Sequence, residues 1–159
     1  MNTRKILALG AALLGTSVLV APAPALACDL EVENAWIRTP PPGVPALAGY
    51  AEFVNTGSKP LVIASLASAT FAMVQLHETI EANGMSRMRA LPKLTIAPGE
   101  KVALAPGGKH LMLMQPKTDV QRGNHVVIAI KDGSGCTTSA HFVVQDGPAA
   151  AAGAMHHHH

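Results

Sequence analysis

The stretch His110-Leu111-Met112-Leu113-Met114 alternates two kinds of side chain without a break. A period of two belongs to a β-strand, whose successive residues face opposite ways. Leu111 and Leu113 then point into a core, while His110, Met112 and Met114 share the other face. Residues two apart on one strand face are separated by about 7 Å, so His110 and Met112 can reach a single ion. The turn signal Ala105-Pro106-Gly107-Gly108 precedes the strand, and its glycines allow the backbone to turn closely into that face.

Short strand-like runs continue on both sides. They cover Glu31 to Arg38, Leu47 to Asn55, Leu61 to Ala69, Ala72 to Ile80, Met85 to Leu91, Leu94 to Ile96, Val102 to Leu104, His125 to Lys131 and Thr138 to Gln145. Turn clusters such as Asn55-Thr56-Gly57-Ser58 and Ala97-Pro98-Gly99 separate them. Thr39 to Pro45 holds three consecutive prolines and reads as a rigid extended loop. Closely spaced strands without a long amphipathic helix predict an all-β sandwich or small Greek-key barrel.

Between Val74 and Gln115 the chain collects His77, Met85, Met88, His110, Met112 and Met114. Imidazole and thioether together suit copper, above all Cu(I). A four-residue loop from Glu81 to Gly84 sets His77 opposite Met88 and Glu78 opposite Arg87. A two-residue turn at Asn83-Gly84 instead sets His77 opposite Ala90, and turn chemistry allows both. Taken singly, a strand methionine fills a core and a lone histidine is a satisfied polar group. Two His and Met pairings within one segment favour ligation. Met85 and Met114 are expected to be bystanders, Met73 and Trp36 to lie in the core, and His125 and His141 to be structural.

The ends carry other information. Arg4 and Lys5, the apolar run Ile6 to Val20 and the small-residue site Ala25-Leu26-Ala27 read as a secretory signal peptide over residues 1–27, cleaved after Ala27. Leu26-Ala27-Cys28 also resembles a lipoprotein site, with Ala25 where leucine is expected; cleavage to a soluble exported protein is the favoured reading. Residues 28–147 form the β domain, and residues 148–159 an Ala-rich tail ending in Met155 and four histidines, native or a purification tag. Export to an oxidising compartment favours a Cys28–Cys136 disulfide. Beyond residue 27, ten basic side chains balance ten acidic ones, which argues against a nucleic-acid surface.

His77, Met88, His110 and Met112 follow the pattern H-x10-M-x21-H-x-M. This resembles the periplasmic PCuAC-type copper chaperones, as do Leu76-His77-Glu78-Thr79, Met85-Ser86-Arg87-Met88-Arg89 and Pro106-Gly107-Gly108-Lys109-His110, along with the segment Ala35-Trp36-Ile37-Arg38. The likeness runs from about residue 31 to 145. It implies a cupredoxin-like β-barrel that binds Cu(I) through those four residues. It further implies delivery to the CuA site of cytochrome c oxidase, at times together with a Sco-type thioredoxin-like protein, and a terminal His/Met segment that takes up Cu(II). A monomer is expected.

Two other function classes compete. A blue-copper electron carrier needs a cysteine thiolate beside two histidines, which Cys136 and His141 could begin to supply. An exported interaction domain would use its methionines as core. No enzyme is expected, because Glu52, Glu78 and Glu81 show no paired-carboxylate spacing and neither Gly-x-Ser-x-Gly nor His-Glu-x-x-His occurs.

Overall fold

The computed structural model describes residues 28–148, so the expected signal peptide, most of the tail, Met155 and the terminal histidines lie outside the described residues. Ten strands and no helix are found within it: β1 (Leu30–Arg38), β2 (Ala46–Asn55), β3 (Leu61–Ala67), β4 (Phe71–Ala82), β5 (Met85–Ala90), β6 (Leu94–Ile96), β7 (Lys101–Leu104), β8 (Lys109–Pro116), β9 (His125–Asp132) and β10 (Thr137–Gln145). They form one sheet in the order β5-β4-β8-β2-β1-β10-β9-β3-β6, with β7 paired to β2. Among the described residues only the β1–β10 pairing is parallel. The fold is all-β and cupredoxin-like, an open sheet bent around one core rather than a ring closed by hydrogen bonds.

Alternation explains the core. Leu111 and Leu113 of β8, Ile128 and Ile130 of β9, and Phe142 and Val144 of β10 are fully buried, with polar or smaller residues between them. Val74 and Leu76 bring the same face of β4 inward. Gly49 lets β2 approach β8 closely: a Cβ there would stand 3.3 Å from the Leu111 Cβ and 3.4 Å from Leu113 Cδ1. Trp36 is buried as expected and packs on Tyr50, with ring centroids 4.6 Å apart.

Two ties hold the loops. Asn55 is fully buried, and its amide donates to the carbonyls of Lys59 at 2.7 Å and Ile96 at 3.0 Å while its oxygen accepts from the Gly57 amide. Every polar atom of that side chain is thus used, as burial requires. Cys28 and Cys136 are bridged, with Cα atoms 5.7 Å apart across 108 residues of chain. Asp132 shapes the approach to Cys136 by accepting from the Ser134 hydroxyl and from the Ser134 and Cys136 amides.

Several expectations need correction. Met73, expected in the core, is 47% exposed, because Val74 and Leu76 occupy the inward positions of β4. His125 and His141 sit at exposed positions of β9 and β10. The β4–β5 loop is the two-residue turn: Asn83 and Gly84 adopt φ of 54° and 72°, and Ala82 pairs with Met85. Positive φ at both central positions defines the turn whose twist suits a hairpin, and Asn-Gly is its favoured sequence. His77 therefore faces Ala90, and Met88 faces Thr79. Glu78 faces Arg89 rather than Arg87.

Candidate metal centre

The pairing of β4 with β8 brings the histidines together. His77 lies directly opposite His110, Gln75 opposite Met112, and Met73 opposite Met114. The two imidazoles stack with centroids 6.0 Å apart and planes inclined by 26°. Met88 reaches the same face from β5, opposite Thr79 and so diagonal to His77. Diagonal neighbours in a sheet are about 7–8 Å apart, within reach of a methionine side chain. His77, Met88, His110 and Met112 thus share one face, with the Asn83-Gly84 turn selecting the second of the two registers the sequence allows. The strand pairing that places the histidines face to face joins segments far apart in sequence, and no local signal announces it.

The imidazoles are set for ligation. His110 is 4% exposed, and its Nδ1 lies 3.0 Å from the Gly108 carbonyl. A carbonyl only accepts, so Nδ1 carries the hydrogen and Nε2 keeps its lone pair. That Nε2 is buried and has no hydrogen-bond partner, and the same holds for His77 Nδ1. The Gly108 carbonyl also accepts from the Thr79 amide at 3.1 Å, so one oxygen orients His110 and ties β4 to the start of β8. Burial, and next the neighbouring His110 ring, push the His77 pKa below its ordinary value; the Gln75 backbone opposes this. The shift favours the uncharged imidazole, the form that metal binding requires.

The sulfur side is open. Met88 is 54% exposed, and every residue of β5 is exposed. Behind this face Glu78 accepts from Arg89 at 3.0 Å and sits 3.4 Å from the Lys109 amine. The hydrogen bond from Arg89, with help from Lys109, holds the Glu78 carboxyl below its usual pKa. Glu78 and its two cationic partners thus lie on the face of β4 opposite His77. Among the described residues no group of three or more His, Cys, Asp or Glu side chains stands close enough to hold a metal. The donors available here are two imidazoles and thioethers, a neutral and soft set.

The chain as a whole resembles several known proteins. The family model described as LpqE-like lipoprotein matches residues 30–144. The protein Lxx21020 of Leifsonia xyli subsp. xyli, named as a lipoprotein, is 30% identical over 118 residues, covering 74% of this chain and 70% of its own. Among solved structures, the Cu(I) form of DR1885 from Deinococcus radiodurans is 27% identical, with a TM-score of 0.59 over 72% of this chain and 76% of its own. The copper-bound PCuAC domain from PmoF2 shares the fold at 20% identity, with a TM-score of 0.61 over 74% of this chain and 92% of its own.

Proposed function

As a member of the LpqE-like lipoprotein family, the chain carries a cupredoxin-like domain with a neutral His/Met face, and we propose that it is a copper metallochaperone. It binds Cu(I) at His77, Met88, His110 and Met112 and delivers the ion to the CuA site of cytochrome c oxidase. The observation that carries this reading is the stacked His77–His110 pair with two buried ring nitrogens that lack partners. A buried polar atom left unpaired costs about 1–3 kcal/mol, a cost relieved when both lone pairs bind an ion. The copper-bound forms of DR1885 and PmoF2 support the choice of metal.

Neutral imidazole and thioether donors suit a soft monovalent ion. Thioethers hold Cu(I) without the strength of thiolate, so an acceptor with cysteines can take it by ligand exchange. Met88, exposed on an edge strand, is the ligand such an acceptor meets first. A Sco-type thioredoxin-like protein fits the same role of thiol partner. Copper is carried rather than transformed, so no catalytic step is assigned to the domain. The protein works in the periplasm as a monomer. A lipid on Cys28 and the Cys28–Cys136 bridge exclude each other, since both use the same sulfur, and the bridge favours the soluble exported form. It also removes the thiolate that a blue-copper carrier would need beside His141. A Cu(II) site at the terminal histidines would lie outside the described residues.

The test is a Cu(I) titration under reducing conditions, on the chain with His156 to His159 replaced by alanine. One tight Cu(I) is expected, with affinity falling at least about tenfold in Met88→Ala and further in His110→Ala. Mixing the loaded protein with a copper-free CuA domain then yields the mixed-valence CuA spectrum once Cu(II) is supplied. Unchanged affinity in both variants would place the site elsewhere, and copper retained by the donor would remove the delivery step.

A further inference from the structure

Met73 and Met114 occupy the same face as the histidine pair, two residues beyond Gln75 and Met112. Strand alternation sends Leu111 and Leu113 into the core and leaves Met112 and Met114 on the opposite side. Met73 has no core to fill either, for it is 47% exposed. On β2, the other neighbour of β8, Ala46 lies opposite Met114 and Ala48 opposite Met112. Short side chains thus flank the thioethers on that side, and Met112 and Met114 are half-buried. An exposed thioether facing a half-buried one beside alanines is a poor choice for an outward strand face, where polar residues are usual.

We propose that Met73 and Met114 form a second, weaker position for a soft monovalent ion, adjoining the His77–His110 site through Met112. Directly opposed residues have Cβ atoms about 4.5–5.5 Å apart, so both thioethers can bind one ion. Met112 lies about 7 Å along the strand from Met114, and its three side-chain torsions let its sulfur turn toward either position. All donors are neutral, so movement between the positions is ligand exchange alone. A bond to one thioether forms as a bond to His77 or His110 breaks, copper stays Cu(I), and no proton moves. The face then offers incoming copper a weak outer position before the tighter inner one.

The identity of the ion rests on the proposed function, whereas the ligands rest on the strand register alone. The experiment is a titration of the whole exported chain, labelled with ¹³C at the methionine methyls, using Ag(I) as a redox-inert soft ion and then Cu(I). The first equivalent is expected to shift the methyls of Met88 and Met112, and the second those of Met73 and Met114. The pair Met73→Leu with Met114→Leu, close in volume, removes the second event and leaves the first affinity within about twofold. Methyls of Met73 and Met114 that stay unmoved beyond two equivalents would overturn the proposal, as would a second event that persists in the double variant. Shifts at Met73 and Met114 without shifts at Met88 and Met112 would uphold this position while refuting the His/Met site.

Discussion

His110 shows how much one side chain depends on its surroundings. Its alternation with Leu111 is plain in the sequence, but its value as a ligand comes from the Gly108 carbonyl, which fixes the tautomer, and from burial, which leaves Nε2 unpartnered. Met73 departs from the rule that a strand methionine fills a core, because it shares parity with His77 while Val74 and Leu76 supply the inward residues. Asp132 gives a prediction of its own. Burial alone would raise its carboxyl, but hydrogen bonds from the Ser134 hydroxyl and the Cys136 and Ser134 amides outweigh this and hold its pKa below the ordinary value. A depressed carboxyl stabilises the fold at pH above the unfolded value of about 3.9, and that contribution is lost as pH falls through the folded value. Asp132→Asn is therefore expected to cost about 1–3 kcal/mol at neutral pH. In denaturant unfolding the gap to wild type should narrow in acid; a gap that stays constant down to pH 2 would deny the ionised carboxylate its part.

The β4–β5 hairpin decides whether Met88 belongs to the site. Turn chemistry left two registers open in the sequence, and positive φ at Asn83 and Gly84 selects the tighter one. Both registers happen to put His77 and Met88 on one face, because they differ by two residues. A slip of one residue would send Met88 to the other face. Gly84→Ala places a Cβ at a φ of 72° and is expected to cost about 1–2 kcal/mol. Cu(I) affinity should fall with it as β5 loses its register, and D-alanine introduced by chemical ligation, which favours positive φ, should recover both. Equal affinity in Gly84→Ala would mean that β5 tolerates the strain without moving Met88. The β4–β8 pairing is another matter. It joins residues more than thirty apart, such as His77 and His110. The family resemblance selected those residues, but only the folded sheet shows them stacked.

Across the molecule, the class of fold was the most legible property, since turn signals and alternation repeat along the chain. The order of strands was not. The parallel contact of β1 with β10, between the two ends of the domain, depends on long-range packing that no short window contains. The Cys28–Cys136 bridge reinforces that closure, fastening the segment before β1 to the β9–β10 turn. Closing a loop of 108 residues is worth about 4–5 kcal/mol in the chain-entropy model. Replacing both cysteines with serine should lower stability by up to that amount in denaturant unfolding while leaving one Cu(I) bound, because neither sulfur belongs to the metal face. Loss of copper binding from the still-folded double variant would tie the bridge to the site itself.

Copper K-edge X-ray absorption on the Cu(I)-loaded chain, with its four terminal histidines replaced, reads the ligand shell itself. Two nitrogen and two sulfur neighbours are expected per copper, with one nitrogen lost in His110→Ala and one sulfur lost in Met88→Ala. A shell of oxygen and nitrogen without sulfur, or one unchanged by either substitution, would contradict the assignment of Cu(I) to this face.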